Sequence, residues 1–215
     1  MSIHNGQHNL NFNIIGLIAV IHLFFIAPAL CHAGYDYIDI NNPFIRKIPI
    51  AVPVFKSMSG SKEEKFLSQE ASNLLSKSLE FTGCFKIIDR DAYLVDPEKS
   101  NIIVTNINFR NWTGIGAELL ITGGLFVKNN IIEMELRLYD TFKGLLLVGK
   151  RYKGVVNNQR KIIHRFCGEV IYNLTGSKGI FDSKIAFVST SSGNKNIYLC
   201  EFDGHNPEQL TYNKS

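Results

Sequence analysis

The sequence predicts an α/β domain in which two helices pack on one mixed β-sheet, followed by a run of short antiparallel strands. Two amphipathic patterns of helical period, each closed by a glycine, cover residues 62–82 and 157–175. Strand-like segments lie on both sides of each helix, so each helix has a sheet on which to bury its apolar face. Beyond Gly179 the pattern changes to short strands separated by polar turns.

Residues 1–33 are predicted to be a secretory signal peptide. Residues 14–30 form an almost uninterrupted apolar run, and Cys31-His32-Ala33 fits cleavage after Ala33. A retained membrane anchor is the alternative, because the run approaches the roughly 17 to 25 residues that a transmembrane helix needs. Pro28 and the small residues at the cleavage site favour removal, which places the working protein outside the cytoplasm.

The segment that cleavage would expose alternates aromatic or aliphatic residues with aspartates. Such a pattern can pair as a strand, although chain termini also fray. Its residues are Gly34, Tyr35, Asp36, Tyr37, Ile38, Asp39 and Ile40.

The α/β domain, residues 48–179, is predicted to begin with a buried strand over residues 48–55, where prolines indicate an edge strand or an interruption. Ser61 and Glu64 form a capping box, in which each side chain satisfies a free backbone N–H at a helix start, and Gly83 ends that helix. The apolar positions at helical spacing are Phe66, Leu67, Ala71, Leu74, Leu75 and Leu79. A strand over residues 84–88, a turn at Asp96-Pro97 and a short strand over residues 102–104 follow.

A meander and a second helix complete the predicted domain. Strands over residues 118–127, 131–140 and 145–152 are joined by turns at Asn129-Asn130 and Lys143-Gly144. The helix starts near Asn157 and ends at Gly176. Short strands over residues 184–189 and 197–202, with another opening at residues 209–211, then indicate a sandwich or a propeller blade.

The composition and the motifs exclude several classes of function. The net charge of +4 is spread along the chain, which argues against a nucleic-acid partner. Asp89 and Asp91 flank Arg90 at a strand end. They are interpreted as a solvated turn, because no further acidic or basic residue lies at a spacing typical of a catalytic pair. His164 is interpreted as a histidine on a helix surface. No catalytic residue, cofactor, metal site or small-molecule substrate is predicted.

Two further features are interpreted as structural. Gly114 and Gly116 precede a strand instead of a helix, so they do not form a phosphate-binding loop, and Trp112 beside them is predicted to be a packing anchor. The three cysteines after residue 33 lack the close spacing of a metal or redox motif; one disulfide is possible, and at least two are predicted to be buried thiols. They are Cys84, Cys167 and Cys200.

Three late segments, residues 172–181, 184–189 and 203–211, closely resemble the TolB family of the periplasmic Tol-Pal system. The segment 50–55, the helix end at Gly83-Cys84-Phe85, the stretch from Trp112 to Gly123 and Leu138-Tyr139-Asp140 match in the same order. The resemblance covers nearly the whole chain after residue 33.

The resemblance implies an α/β domain similar in fold to anticodon-binding domains, joined to a six-bladed β-propeller. Only the first strands of that propeller, residues 180–215, would be present, so the propeller would be incomplete. The propeller of such proteins recognises the lipoprotein Pal, and the segment after the signal peptide contacts the inner-membrane protein TolA. In this chain that partner-binding segment is residues 34–47, with Gly34 to Ile40 as its contact residues.

Two alternatives belong to other classes. An exported prolyl-oligopeptidase-like peptidase can have similar blades, and it predicts a downstream hydrolase domain. A related secreted α/β module for outer-membrane assembly, without a propeller, is weakened by the strands between residues 184 and 211. The resemblance favours a non-enzymatic adaptor located in the periplasm.

Overall fold

The computed structural model describes residues 46–94 and 107–213. In chain order, the helices and strands are β1 (Ile48–Ala51), β2 (Lys56–Ser57), α1 (Lys62–Phe81), β3 (Phe85–Ile87), α2 (Phe109–Thr113), β4 (Leu119–Lys128), β5 (Ile131–Asp140), β6 (Leu145–Val155), α3 (Gln159–Thr175), β7 (Lys184–Ser189), β8 (Asn196–Glu201) and β9 (Glu208–Gln209). Two short 3-10 turns lie at Arg90–Ala92 and Val156–Asn158. The predicted signal peptide, the turn at Asp96-Pro97 and the strand over residues 102–104 lie outside the described residues.

The large sheet is mixed, as predicted. Its strand order is β3-β1-β4-β5-β6, and β2 also pairs with β4. The pairs β1–β3, β1–β4 and β2–β4 are parallel, whereas β4–β5 and β5–β6 are antiparallel. Since β1 and β2 pair with successive parts of β4, they lie end to end along one side of that strand.

The first predicted strand is interrupted and does not lie at an edge. The prolines predict either an edge strand or an interruption. Because β1 has a neighbouring strand on each side, the edge position is wrong. Pro49 is tolerated because its carbonyl accepts from the Glu118 N–H (2.9 Å) and the pairing with β4 begins only at Ile50, so no ladder bond needs its missing N–H. The strand stops at Ala51, two residues before Pro53.

Helix α1 begins and ends where the sequence indicates. The Ser61 hydroxyl accepts from the Glu64 N–H (3.2 Å), and Gly83 has a φ of +74° just after the helix. Leu67, Ala71, Leu75 and Leu79 are buried, but Phe66 is 63% exposed, so its assignment to the apolar face is wrong. Phe66 precedes Leu67 by one position and therefore points about 100° away from it around the helix.

The prediction that the Glu64 carboxylate completes the capping box is also wrong. The carboxylate is fully buried and accepts from the backbone N–H groups of Val127 (2.7 Å) and Ser59 (2.8 Å) and from the Ser57 hydroxyl (3.0 Å), instead of from the Ser61 N–H. Because β2 ends at Ser57, the carboxylate supplies the acceptor that a longer strand would have offered to Val127.

The two predicted turns and the second helix are confirmed. Asn129 and Asn130 have φ values of +51° and +62°, as a type I′ hairpin requires, and β4 and β5 pair along their full lengths. Helix α3 ends at Gly176, whose N–H donates to the Tyr172 carbonyl (2.8 Å). Helices α1 and α3 pack on the same face of the sheet, over its main apolar cluster.

A short third helix, α2, covers part of the opposite face, so the described residues contain three helices where two were predicted. Five residues are too few to reveal a helical period in the sequence. Trp112 in α2 is 4% exposed and meets the Tyr93 ring edge to face, with centroids 5.0 Å apart, which confirms it as a packing anchor. The cluster around it comprises Ala51, Trp112, Ala117, Leu120 and Tyr139.

The last strands form a separate antiparallel sheet in the order β7-β8-β9. They follow the predicted positions to within a residue or two at each end. Within residues 46–94 and 107–213, no helix combines the length and the apolar character needed to cross a membrane.

Candidate interaction surfaces

The predicted partner-binding residues, Gly34 to Ile40, lie outside the described residues, and their role stays a prediction. The described chain starts at Arg46, whose guanidinium pairs with Glu118. Two residues later the Ile48 N–H donates to the Cys84 carbonyl (2.9 Å). These two contacts fix the start of β1 between β3 and β4.

Arg90 closes the gap between β1 and β2. Its Nε donates to the Val52 carbonyl (3.0 Å), and its other nitrogens donate to Asn73 Oδ1 (2.7 Å) and Ser72 Oγ (3.0 Å) on α1. The Val52 N–H donates to the Tyr93 hydroxyl (2.9 Å), so both backbone groups of Val52 are satisfied by side chains. Burial lowers the pKa of Arg90. Arg90, in the turn that was interpreted as solvated, thus makes structural contacts that the sequence did not indicate.

A polar cluster, hereafter the junction cluster, joins α3 to the turn after β8. Arg160 donates to the Glu201 carboxylate (Nε to Oε2, 3.0 Å) and to the Asp203 carboxylate. His164, one turn further along α3, has ring nitrogens 4.0 Å from carboxylate oxygens of both Glu201 and Asp203. Phe202 completes the contact, since its ring centroid lies 4.9 Å from that of His164.

The prediction that His164 lies on a helix surface is wrong. Its side chain is only 8% exposed, because Phe181 and Phe202 cover this part of α3. Its Nε2 is buried and has no hydrogen-bond partner. The sequence did carry a weak signal, since Arg160 and His164 are four residues apart and hence on one face of the helix.

The electrostatics of the junction cluster favour a neutral imidazole. Burial is the main cause that lowers the pKa of His164 below 6.5; Arg160 adds to it, while Asp203 and Glu201 oppose it. Burial would raise the pKa of both carboxyl groups, but other contacts outweigh it and lower both pKa values. At Glu201 the hydrogen bond and charge of Arg160 come first, and at Asp203 the hydrogen bond from the His205 N–H comes before those of Arg160. At neutral pH two carboxylates therefore share one guanidinium, and the histidine packs as an aromatic ring.

The β7–β9 sheet exposes apolar side chains on both faces. Ile185 (46% exposed) and Phe187 (37%) lie on one face, and Val188 (65%) and Ile197 (43%) on the other. An antiparallel sheet with one solvated face normally alternates apolar and polar residues. Both faces of this sheet therefore present apolar side chains to solvent in the described residues.

The cysteines and the acidic residues form no metal centre among the described residues. No group of three or more His, Cys, Asp or Glu side chains there could hold a metal ion. Cys84, Cys167 and Cys200 are unpaired thiols in the same part of the chain, and Cys167 and Cys200 are buried, which confirms the prediction of at least two buried thiols. Burial raises the pKa of Cys167 well above its ordinary value.

Comparison with known proteins agrees with the family resemblance seen in the sequence. The Tol-Pal system protein TolB of Desulfosudis oleivorans is 50% identical over 196 residues, which cover 91% of this chain and 45% of that protein. The Tol-Pal system protein TolB of Geobacter sulfurreducens is 31% identical over 190 residues, or 88% of this chain and 43% of that protein. This chain thus spans less than half the length of either relative.

A solved structure supports the fold. The crystal structure of TolB from Acinetobacter baumannii superposes with a TM-score of 0.62 at 19% identity, over 77% of this chain and 39% of that chain. The profile of the TolB amino-terminal domain family matches residues 36–147, just over half of the sequence. The chain belongs to the TolB family, through this amino-terminal domain.

Proposed function

We propose that the chain is a periplasmic, non-enzymatic adaptor of the Tol-Pal system. It links a TolA-like inner-membrane protein to a Pal-like lipoprotein of the outer membrane, and so supports envelope integrity and outer-membrane constriction during division. The observation that carries the proposal is the family match over residues 36–147, together with relatives named as Tol-Pal system proteins. These names favour the adaptor over the exported peptidase.

The TolA-like partner binds the segment from Gly34 to Ile40. Tyr35, Tyr37, Ile38 and Ile40 are the strand-pairing residues, and Asp36 and Asp39 steer the encounter. This role requires that the signal peptide is cleaved after Ala33, since only then is the segment a free terminus. Edman sequencing of the exported protein is expected to begin at Gly34; an intact residue 1 on the exported protein would contradict the mechanism.

A pull-down with a TolA C-terminal domain tests the segment. The intact chain is expected to bind, and deletion of residues 34–40 is expected to abolish binding. A matched control carries the same seven residues in shuffled order, which keeps length and charge. Equal capture of the intact, deleted and shuffled proteins would refute the role of the segment.

The Pal-like partner binds the propeller, to which residues 180–215 contribute. The two apolar faces of the β7–β9 sheet support its placement among further blades, which cover such faces in a propeller. Because the chain spans less than half of its relatives, it carries little of that surface. Calorimetry is expected to show at least about tenfold weaker Pal binding than by a full-length relative; equal affinity would place the Pal site in the α/β domain instead.

A further inference from the structure

Strand β2 has an open side next to helix α1. It pairs with β4 and with no other strand among the described residues. The Met58 N–H donates to the Leu125 carbonyl (3.0 Å), so Ser57, one position earlier, directs its own N–H and C=O groups toward the open side. Phe55 is only 3% exposed, yet its backbone groups have no hydrogen bond within the described residues. Buried backbone groups are nearly always paired, so this side has the backbone groups that an added strand would use.

A groove of about 250 Å³ lies between this open side and α1. Its lining residues are Val54, Phe55, Lys56, Ser57, Lys65, Ser68 and Gln69. Ser68 is 1% exposed, and its hydroxyl oxygen has no hydrogen-bond partner in the described part of the chain. The hydroxyl is therefore available to donate to an acceptor that enters the groove.

The charge of the groove is positive. Neither Lys56 nor Lys65 forms an ion pair within residues 46–94 and 107–213, and no Asp or Glu lines the groove. The neighbouring Glu64 carboxylate is already occupied by three hydrogen-bond donors of this chain. The groove is therefore complementary to a ligand that carries negative charge.

The two lysines lie on opposite sides of the position that an added strand would take. Ser57 faces α1, because its hydroxyl donates to the Glu64 carboxylate (3.0 Å). Lys56 precedes Ser57 along the strand and therefore faces the other side, whereas Lys65 belongs to α1 itself. Since side chains alternate along a strand, two adjacent acids would reach both lysines, and two acids separated by one residue would reach only one of them.

The groove does not depend on how the β7–β9 sheet is completed. Phe81, at the end of α1, meets the Phe202 ring with centroids 5.7 Å apart, so the β7–β9 sheet adjoins that flank of the helix. Lys65 and Phe81 project about 160° apart around the helix, which places the groove on the opposite flank. All its residues lie within the range that the amino-terminal domain family matches, 36–147.

A separate partner fits the groove better than residues 34–40 of this chain do. Arg46 pairs with Glu118, next to the start of β4, whereas β2 begins beside Gly124, about 20 Å further along that strand. The step from Ile40 to Arg46 spans at most about 20 Å. Residues 34–40 would therefore reach the groove only through a fully extended connection.

We propose that the open side of β2 binds an extended acidic segment of a partner protein by strand addition. The backbone of the segment pairs with Phe55 and Ser57, and two adjacent carboxylates pair with Lys56 and Lys65. The Ser68 hydroxyl donates to the carboxylate on the α1 side. This surface includes neither the segment from residue 34 to residue 40 nor the β7–β9 sheet, so it is distinct from both surfaces of the proposed function.

Fluorescence anisotropy with two labelled synthetic peptides tests the recognition. The first peptide, Thr-Val-Asp-Glu-Val-Thr-Val, has adjacent acids, and the second, Thr-Asp-Val-Glu-Val-Thr-Val, has the same composition with the acids separated by one residue. The first is expected to bind at least about threefold more tightly, because it reaches both lysines. Its affinity is expected to fall with added salt, as binding to exposed charges does.

Charge reversal identifies the site. Lys56→Glu and Lys65→Glu are each expected to weaken binding of the first peptide at least about threefold, and the double variant at least about tenfold. Lys77→Glu is the matched control, since it makes the same charge change on the opposite flank of α1, and it is expected to leave the affinity unchanged.

Hydrogen exchange tests the backbone pairing. The Ser57 amide is expected to become protected when the first peptide saturates the chain, whereas the Met58 amide, which bonds to β4, is protected with and without the peptide. The proposal is overturned if neither peptide binds at up to about 1 mM, if the double variant binds as the unaltered chain does, or if the Ser57 amide stays unprotected at saturation.

Two further outcomes assign the groove to another occupant and also overturn the proposal. A gain in peptide affinity of at least about tenfold on deletion of residues 34–40 would show that the groove holds this chain's own segment. A dimer in sedimentation velocity that the first peptide dissociates would show that it holds a second copy. TolA and Pal binding are not measured in these experiments, so their results do not depend on the proposed function.

Discussion

Glu64 shows how one side chain can connect three elements. It sits in the first turn of α1, yet its carboxylate bonds to the end of β4 and to the loop after β2. Burial alone would raise the pKa of Glu64, but the N–H groups of Val127 and Ser59 hold it below its ordinary value. A lowered carboxyl pKa stabilises the fold above the pKa of the unfolded chain, and that contribution is lost as the pH falls through the folded pKa.

Glu64→Gln is expected to lower the free energy of unfolding by about 1.5 to 3 kcal/mol at pH 7, because an amide replaces two charge-assisted hydrogen bonds and brings an N–H₂ group against backbone donors. Urea titrations at pH 7 and pH 4 measure the effect, and the variant should also lose less stability on acidification. Glu63→Gln, next to it on the exposed side of the helix, serves as the control. Equal stability of the two variants would show that the Glu64 contacts contribute nothing.

Gly123 is required by packing and not by backbone conformation. A Cβ at this position would lie 2.6 Å from Phe55 Cδ1 and 2.8 Å from Leu136 Cδ2. Gly123→Ala is therefore expected to destabilise the protein by about 1 to 3 kcal/mol, measured by thermal unfolding.

The control for Gly123 is Gly149→Ala, where the nearest atom would be at an ordinary 3.4 Å. Phe55→Ala, which removes the clashing Cγ and Cδ1 atoms, is expected to cost less stability in the Gly123→Ala background than in the unaltered chain. Strict additivity of the two substitutions would contradict the clash.

At the scale of elements, the gap between β1 and β2 is held by side chains. Val52 lies in the gap, and its backbone groups bond to Arg90 and Tyr93 from the segment after β3. Arg90 also reaches α1 through Ser72 and Asn73, so it joins the end of β1 to the helix.

Arg90→Met is expected to cost about 1 to 3 kcal/mol of stability, because the Val52 carbonyl loses its donor in a partly buried place. Denaturant unfolding measures the loss, and amide exchange should increase first around residues 52–57. Arg110→Met, at an exposed position, is expected to change stability by less than about 0.5 kcal/mol. A uniform increase in exchange across the whole sheet would argue against a local role.

At the scale of the whole molecule, the junction cluster ties the α/β part to the β7–β9 sheet. Arg160, Glu201 and Asp203 form the polar part, and the His164 ring meets the Phe202 ring edge to face beside them. Because the pKa of His164 is lowered by folding, the unfolded chain takes up a proton first as the pH falls. The stability contributed by the neutral imidazole is thus fully present above pH 6.5 and decreases as the pH falls below that value.

Unfolding free energies at pH 7.5 and 5.5 are therefore expected to differ, with lower stability at pH 5.5. His164→Phe keeps an aromatic ring between Phe181 and Phe202 but cannot take up a proton, so its loss of stability between the two pH values should be smaller. Glu201 and Asp203, whose pKa values are lowered, stay ionised in this window and do not contribute to the difference. The same pH dependence in both proteins would show that His164 is not the titrating group.

The sequence alone determined the features that depend on neighbouring residues. Helix ends and a hairpin are marked by contacts within a few positions, at Ser61, Gly83, Asn129-Asn130 and Gly176. Such local signals predict most of the described helices and strands and their order. The family resemblance likewise follows from local segments. The partner-binding role of Gly34 to Ile40 remains a prediction from that resemblance.

Only the tertiary structure decided the features that join distant parts of the chain. Glu64 meets Val127 across 63 residues, and Arg90 meets Val52 across 38. The interior position of β1 depends on β3 and β4 lying on either side of it, and the burial of His164 depends on Phe202 folding back over α3. No local pattern encodes such contacts, because whether a polar side chain is exposed or buried depends on which distant elements pack against it.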